Sequence, residues 1–329
     1  MTLQANLLRK MERPAHARDQ ELIGLFVSDC WLRKLSSESI RSYGSNLRIV
    51  SKFLNRLGLS LLDLDKKVLK MVLRYLVNER GISSKTLGNY FSALSSLYQY
   101  LIYEDIADRN PVLPFRKRYL TQYKGSSSSN NPGSERKLIS VDEMRMLINS
   151  ILSPRDRAMV TLLAKTGIRR GELIGIDLDD VDWVEQSIRL KPHKKRSNQW
   201  VFFDGECTRV LRRWLKAREN YDVKSECRAL FVGEHGKRLK RHGVYHAVTK
   251  HAERVGLHDS KSRRMEDHFT PHCCRHWFTT HLRRNGIKRE FLKELRGDSR
   301  KEAVDIYDHI DKKELKRAYL AAIPTLGIG

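Results

Sequence analysis

The chain has 329 residues, of which 63 are Lys or Arg and 39 are Asp or Glu, so its formal net charge at pH 7 is +24. This length favours two domains, and so large a positive charge is typical of proteins that work on a polyanion, with nucleic acid the first partner to consider. The sequence contains neither a run of about eighteen apolar residues nor the apolar core of a signal peptide, so we expect a soluble, cytoplasmic protein without a membrane partner. Five cysteines without CxxC spacing predict neither a disulfide framework nor a zinc site.

Apolar residues at helical spacing predict four helices in the first third of the chain. The four stripes are Leu22, Leu25, Phe26 and Cys30; Ile40, Tyr43, Leu47, Val50 and Leu54; Leu69, Val72 and Leu76; and Leu87, Tyr90, Phe91, Leu94, Leu97, Tyr98 and Leu101. Four such helices predict a small bundle. We place it at residues 18–115, after an N-terminal extension of residues 1–17.

Polar side chains on the second and fourth predicted helices are of the kinds that contact phosphates and base edges. The candidate nucleic-acid-binding residues are Arg41, Ser42, Asn46, Lys85, Thr86 and Asn89. Solvated helix faces have the same composition, so both interpretations remain open at this point.

Ser, Asn, Gly and Pro cluster without apolar periodicity in TQYKGSSSSNNPGSERK, residues 121–137. This composition predicts a flexible linker, which we place at residues 116–137. Directly after it, Ser140 and Glu143 fit a capping box that opens a helix. A second domain is therefore expected over residues 138–329.

Turn signals divide the first part of this second domain. Ser153 and Pro154 predict the start of a helix, and Gly167 predicts its end. Two β-like runs at 187–191 and 199–204 flank the basic turn PHKKRSN and predict a hairpin. The remainder of the domain is predicted to be mainly helical.

Four stretches of the second half carry side chains suited to chemistry. They are TGIRRGEL with Arg169 and Glu172, the hairpin turn with Lys194, TPHCCRHWFTTHL with His272 and Arg275, and GDSRKEAVDIYDHI with Tyr307. Each stretch alone has an ordinary structural explanation, and a tyrosine among apolar residues most often belongs to a core. Their order and spacing are much more specific.

In this order the stretches resemble the sequence boxes of the tyrosine recombinases, the lambda-integrase-like family. TGIRRGEL resembles the first arginine box, LKPHKKRSNQWVFF the hairpin lysine, HCCRHWFTTHL the HxxR box and GDSRKEAVDIY the terminal tyrosine box. The resemblance covers both predicted domains. It implies a mainly α fold with a small antiparallel β-sheet or hairpin, in which a helical core-binding bundle precedes a mixed α/β catalytic domain. Within the family, LRGDSRKEAVDIYDHID and LKRAYLAAIP resemble integrases of archaeal viruses and plasmids more than bacterial chromosome-dimer resolvases.

The resemblance implies a site-specific recombinase or integrase that cleaves and rejoins DNA through a 3′-phosphotyrosine intermediate. Arg169 and Arg275 would bind the scissile phosphate, because guanidinium forks match phosphate oxygens and stay charged. Tyr307 would be the nucleophile, His272 would assist proton transfer, and Lys194 would protonate the leaving 5′ oxygen. The phosphotyrosine ester stores the energy of the broken bond, so no cofactor, metal or ATP is expected.

Three lysines near the hairpin turn are candidates for the general acid. Counting back from the strand QWVFF favours Lys194, with Lys191 and Lys195 as alternatives. Lys195 and Arg196 are also predicted to contact DNA. Glu172, three residues after the first arginine, is expected to hold a guanidinium by paired hydrogen bonds.

Asp298 departs from the common family pattern. It lies nine residues before Tyr307 (307 − 298 = 9), where most members have His or Trp. A carboxylate directly against the scissile phosphate would repel it, so we expect Asp298 to orient Arg275 or His272 instead.

The sequence after the tyrosine is amphipathic, with Leu315, Ala318, Tyr319 and Ala322 on one side. It could pack on its own domain. The family resemblance instead implies an exchange helix that docks on a neighbouring protomer, in a homotetramer on two double-stranded DNA sites.

Two other functions fit part of the sequence. A type IB topoisomerase shares the arginine, lysine and tyrosine chemistry, but the separate bundle and the C-terminal stretch favour a recombinase. A DNA-binding protein with an inactive site is favoured only by Asp298.

Overall fold

The structure, a computed structural model, describes residues 15–121, 137–192, 196–233, 235–262, 264–298 and 310–328. The chain forms two compact units that divide between residues 131 and 132, inside the stretch predicted as a linker. Three predicted site residues, Lys194, Lys195 and Tyr307, lie outside the described residues. Within the described ranges, no helix combines the length and the apolar character needed to cross a bilayer.

The first unit is a helical bundle. Its helices are α1 (Ala15–Leu32), α2 (Ser37–Asn55), α3 (Lys66–Arg74), α4 (Ser84–Tyr103) and the short α5 (Val112–Phe115). Polar caps start two of them: Ser36 accepts a hydrogen bond from the Ser39 amide, and Asp65 accepts from the amides of Lys67 and Val68. The four predicted apolar stripes meet in one core.

The helical packing of this unit extends beyond both predicted limits. α1 includes residues 15–17, which were assigned to the extension, and a helical turn continues over residues 116–120, which were assigned to the linker. Leu120 is buried, and the ring of Tyr119 lies 4.6 Å from that of Phe115. Residues 15–17 and 116–120 are therefore helical in this unit, and the limits of the domains stay a prediction.

Eight further helices lie in the described part of the second unit. They are α6 (Val141–Ser150), α7 (Pro154–Thr166), α8 (Arg170–Gly175), α9 (Gly205–Arg218), α10 (Arg241–Arg254), α11 (Pro271–Arg284), α12 (Arg289–Arg296) and α13 (Lys312–Ala322). Both hydrogen bonds of the predicted capping box are present, from the Ser140 amide to Glu143 and from the Glu143 amide to Ser140. The predicted helix with Pro154 in its first turn is α7, with Ser153 as its cap.

A small antiparallel sheet lies between α8 and α9. Its strands are β1 (Val181–Asp182), β2 (Ser187–Arg189) and β3 (Trp200–Phe202), in the order β1-β2-β3. The predicted hairpin is the β2–β3 pair, in which Ile188 faces Val201. The strands are shorter than predicted, and β1 was missed because two residues give no alternation to read. The predicted fold class is confirmed.

Helix α13 packs on its own domain in this structure. Leu315 and Tyr319 are buried with Phe202 on β3, Phe278 on α11 and Leu295 on α12 in a second hydrophobic core. This is the first of the two arrangements considered from the sequence. Exchange of the helix with a neighbouring protomer stays a prediction.

Candidate active site

The first arginine box lies where α7 ends and α8 begins. Gly167 ends α7 with φ +60°, and a Cβ at this position would lie 2.4 Å from the ring of Phe278 on α11. Glycine is therefore needed both for the left-handed backbone and for the close approach of α11. The turn places Arg169 at the N-cap of α8, with 36% of its side chain exposed.

Glu172 binds Arg169 through two hydrogen bonds. The Arg169 amide donates to Oε2 at 2.6 Å, and Arg169 Nη1 donates to Oε1 at 3.0 Å. Burial would raise the pKa of Glu172, but the charges of Arg196 and Arg169 and the amide hydrogen bond outweigh it, so the pKa is lowered. An ionised Glu172 thus holds the first guanidinium in place.

Arg275 brings a second, buried guanidinium from α11. Its Nη1 donates to the Gly167 carbonyl at 2.7 Å, and its Nη2 donates to the Arg296 carbonyl at 2.9 Å. Burial, followed by the positive charges of Arg169 and Arg296, lowers the pKa of Arg275 to about 10. Arg275 is therefore still protonated at neutral pH, and its guanidinium is held against the carbonyl of the glycine that ends α7.

The Asp298 carboxylate lies between these two arginines. Its Oδ1 accepts a hydrogen bond from Arg275 Nη2 at 3.2 Å and lies 3.8 Å from Arg169 Nη2. Both guanidiniums therefore converge on one carboxylate oxygen. Of the two neighbours that Asp298 was expected to orient, the structure brings it into contact with Arg275.

A third guanidinium at this carboxylate was missed by the sequence reasoning. Arg296 Nε lies 3.1 Å from Asp298 Oδ2. The signal was available in LRGDS, because Arg296 is only two residues from Asp298 and a glycine between them allows a tight turn. Gly297 ends α12 with φ +60°.

His272 occupies the first turn of α11 and is exposed. It precedes Arg275 by three residues, a spacing that places both side chains on the same face of a helix. The structure thus puts an exposed imidazole on the side of α11 that carries the second arginine.

Arg196 is not placed as predicted. Only 1% of its side chain is exposed, and its Nη1 lies 3.2–3.3 Å from the two carboxylate oxygens of Glu172. Its guanidinium also donates to the carbonyls of Leu295, Arg296 and Asn198. The predicted DNA contact is corrected to a buried ion pair, because a guanidinium enclosed by protein acceptors is not presented to a DNA phosphate.

Lys191, the alternative general acid on the first limb of the hairpin, is bound elsewhere. Its Nζ donates to Asp180 Oδ1 at 2.8 Å and lies 3.2 Å from Asp177 Oδ2. The hydrogen bond to Asp180 is the main reason that the pKa of Lys191 is raised. Lys191 is thus paired with two carboxylates, and the choice of Lys194 over Lys191 stays a prediction.

The candidate DNA-binding residues of the first unit lie mostly in solvent. Arg41, Ser42, Thr86 and Asn89 are exposed, and Asn46 is half-buried. The side chain of Lys85, like the whole of Lys195, is outside the described part of the structure. Exposure on α2 and on the first turns of α4 leaves these side chains available to a ligand, and their role stays a prediction.

Family comparison covers both units of the chain. Residues 137–314 match the phage integrase family, and residues 23–105 match the phage integrase, N-terminal SAM-like domain. Since the first match spans more than half of the chain, the protein belongs to the phage integrase family. It is a tyrosine site-specific recombinase, an enzyme that breaks and rejoins DNA strands.

Similar relatives include two bacterial recombinases. Tyrosine recombinase XerD of Staphylococcus saprophyticus is 27% identical over 297 residues, which cover 87% of this chain and 92% of the relative. Tyrosine recombinase XerC of Psychromonas ingrahamii is 28% identical over 297 residues, which cover 89% and 92%. These relatives do not support the expected leaning toward integrases of archaeal viruses and plasmids.

Solved structures share the fold. The Tn1549 transposon integrase in complex with transposon right end DNA has a TM-score of 0.65 at 16% identity, covering 90% of this chain and 97% of that one. The XerH site-specific recombinase bound to its difH substrate has a TM-score of 0.59 at 21% identity, covering 85% and 78%. At these identities the likeness shows a common fold.

Proposed function

We propose that the protein recombines specific DNA sites through a covalent intermediate in which Tyr307 is bonded to a 3′ phosphate, while Arg169 and Arg275 bind that phosphate. The observation that carries the proposal is the convergence of both guanidiniums on Oδ1 of Asp298. Two cationic forks directed at one oxygen are suited to stabilising the charge that builds on a nonbridging phosphate oxygen.

In the proposed cleavage step, the phenolic oxygen of Tyr307 attacks phosphorus as the bond between phosphorus and the 5′ oxygen breaks. His272 assists removal of the phenol proton, and Lys194 gives a proton to the 5′ oxygen, which leaves as a hydroxyl. Attack of a free 5′ hydroxyl on the phosphotyrosine reverses these events and rejoins a strand. One phosphodiester replaces another at each step, so the residues need no external source of energy.

The proposed role of Asp298 is to orient Arg275. The Arg275 guanidinium donates to two carbonyls, and its Nη2 also donates to Asp298 Oδ1. A side chain that acts through a catalytic neighbour is expected to affect the rate less than the neighbour itself.

DNA is the partner that the net charge of +24 favours. The exposed polar residues of α2 and α4 would extend the contact surface beyond the scissile phosphate. We include in the proposal a homotetramer on two duplexes, exchange of α13 between protomers, and action on DNA in the cytoplasm. The proposal does not include a particular relationship to the integrases of archaeal viruses and plasmids.

The competing enzyme function is relaxation of DNA as in a type IB topoisomerase. A topoisomerase would use the same covalent step, so only the exchange of strands between two DNA molecules distinguishes a recombinase from it. Incubation of the protein with two linear duplexes of different length, each carrying the DNA site that it cleaves, should give products of recombinant length. Relaxed supercoiled DNA without recombinant lengths would favour the topoisomerase.

The decisive experiment captures the intermediate. Random duplexes with a nick are incubated with the protein, and those that become bonded to it are recovered after denaturation and sequenced, which also identifies the target site. Tyr307→Phe should give no adduct while binding the recovered site with nearly the parent affinity. The matched control is Tyr245→Phe, a half-exposed tyrosine on α10 that should leave adduct formation intact. An adduct that persists in Tyr307→Phe would place the nucleophile elsewhere in the chain.

A further inference from the structure

Arg196 is a buried cation for which the proposed cleavage reaction has no use. It lies at the point where the hairpin turn joins the segment leading into β3, and only 1% of its side chain is exposed. Burial lowers the pKa of Arg196, an effect that Glu172 opposes. Removing a guanidinium from water is unfavourable, and replacing a buried ion pair with apolar residues is often neutral or stabilising. Stability alone therefore does not explain an arginine at this position.

The acceptors of Arg196 are shared with both proposed phosphate-binding arginines. Glu172 Oε1 accepts from Arg196 Nη1 at 3.3 Å and from Arg169 Nη1 at 3.0 Å. The Arg296 carbonyl accepts from Arg196 Nη1 at 3.2 Å and from Arg275 Nη2 at 2.9 Å. The buried guanidinium of Arg196 thus holds one acceptor of Arg169 and one acceptor of Arg275.

The end of α12 is shaped around this side chain. Gly297 has φ +60°, and a Cβ there would lie 2.5 Å from Arg196 Cγ. The carbonyls that end a helix carry partial negative charge, and the Leu295 and Arg296 carbonyls accept hydrogen bonds from this cation. Residues beside Arg196 add to the contact, since Ser197 Oγ donates to the Asp298 carbonyl at 2.8 Å and Asn198 Nδ2 to the Glu294 carbonyl at 3.1 Å.

A lysine would not reproduce this geometry. The planar guanidinium reaches Glu172 with Nη1, the Leu295 carbonyl with Nη2 and the Asn198 carbonyl with Nε at the same time. A single ammonium has its three donors on one atom and cannot span acceptors spread along the edge of a fork.

We propose that Arg196 is a positioning residue that sets the geometry of Arg169 through Glu172 and of Arg275 through the Arg296 carbonyl. It does not touch DNA. Its loss should let both phosphate-binding guanidiniums move away from the position in which they converge. This inference rests on the proposed function, because it assumes that the two arginines neutralise charge on the phosphate.

The test measures single-turnover adduct formation at saturating DNA for Arg196→Met and Arg196→Lys on three versions of the captured site. The first carries the ordinary phosphate. In the second, a methyl group replaces one nonbridging oxygen, so less charge needs neutralising by arginines. In the third, sulfur replaces the 5′ bridging oxygen, so the leaving group departs as a thiolate without needing a general acid.

With the ordinary phosphate, Arg196→Met should react about 10- to 100-fold more slowly than the parent, as expected for a residue that supports catalytic groups. With the methylphosphonate, the ratio of the parent rate to the variant rate should shrink to a few-fold. With the bridging sulfur, the ratio should stay as large as with the ordinary phosphate. Arg196→Lys keeps the buried charge beside Glu172, so it provides a folded variant should Arg196→Met fail to fold. It should show the same pattern with a smaller deficit.

The matched control is Arg218→Met. Arg218 on α9 also donates to two backbone carbonyls, those of Cys227 and Ala229. Both acceptors lie outside the set that Arg196 shares with Arg169 and Arg275. Any deficit in this variant should be the same on all three substrates.

Three results would overturn the inference. Equal deficits of the Arg196 variants on all substrates would indicate general destabilisation, and a deficit removed only by the bridging sulfur would indicate that Arg196 acts through the general acid. Variants that match the parent would show that Arg196 is dispensable. If the parent itself forms no adduct with any substrate, the proposed function fails instead.

Discussion

Two clusters of charged side chains in the second unit differ in the balance between their positive and negative charges. In one, Lys165 is fully buried, and its Nζ donates to Asp204 Oδ2 at 2.5 Å, to Glu206 Oε2 at 2.6 Å and to the Pro324 carbonyl at 2.7 Å. The other, the arginine cluster, consists of Arg169, Arg196, Arg275 and Arg296 with the carboxylates of Glu172 and Asp298.

The comparison separates a structural cluster from one suited to binding an anion. Lys165 uses all three of its donors, and two carboxylates face one cation. In the arginine cluster four guanidiniums face two carboxylates, an excess of two positive charges, and Arg169 remains partly exposed. A buried charge is therefore weak evidence of function, whereas an excess of positive charge with partly exposed donors is suited to binding an anion such as a phosphate.

The largest expected effect is on stability. Lys165→Met would leave Asp204 and Glu206 without their shared cation, so the free energy of unfolding should fall by about 3–5 kcal/mol. Denaturant unfolding measures this change, with Lys250→Met, an exposed lysine on α10, as the control. Adduct formation per folded molecule should stay near the parent rate. A well-folded Lys165→Met protein that forms no adduct would show that Lys165 is needed for catalysis, contrary to its assignment as a structural residue.

Arg275→Lys tests the arginine cluster. The substitution keeps a cation but loses the fork that reaches two carbonyls and Asp298, and the single-turnover rate should fall by about 100-fold or more. Arg283→Lys, at an exposed position of the same helix, should have no effect. An Arg275→Lys rate equal to that of the control would show that the convergence of guanidiniums has no catalytic use.

Asp298 variants should have smaller effects. Asp298→Asn retains an acceptor for Arg275 and should slow adduct formation modestly, and Asp298→Ala should slow it more. Asp298→His should be at least as active as the Asn variant, because histidine can donate a hydrogen bond to the phosphate. The single-turnover rates of adduct formation at saturating DNA measure the order of activity of the three variants. An Asn variant as inactive as Tyr307→Phe would mean that the carboxylate itself transfers a proton, and our assignment would be wrong.

The smallest expected effect is a pH dependence of stability that comes from Glu206, one of the two carboxylates that bind Lys165. Burial alone would raise the pKa of Glu206, but hydrogen bonds from Lys165 and from the amides of Leu326 and Ile328 outweigh it, so the pKa lies below its ordinary value of 4.5. A lowered carboxyl pKa contributes stability above the ordinary value and loses it as the pH falls through the folded-state pKa. The free energy of unfolding should therefore decline below pH 4.5, and less so in Glu206→Gln. An identical acid decline in both proteins would exclude Glu206 as a source of it.

Local patterns in the sequence predicted much of the fold. Helical stripes, the capping box at Ser140 and the glycine that ends α7 depend on interactions within a few residues, so the order of residues along the chain is enough to predict them. The unit limits were less predictable, because Leu120 becomes part of the bundle only through side chains distant in sequence. The two-residue strand β1 offered no pattern at all.

The sequence by itself determined which side chains could perform the chemistry, because residue type and order along the chain define the family boxes. Only the tertiary structure decided where their charges lie. It placed Asp298 between two guanidiniums, added Arg296 to the cluster and buried Arg196, which the sequence had assigned to the DNA surface. The physical reason is that exposure and ion pairing depend on helices α8, α11 and α12 and the hairpin meeting in space. An arginine in a basic turn has the same sequence signature whether its acceptor is a phosphate or the carboxylate and carbonyls of its own domain.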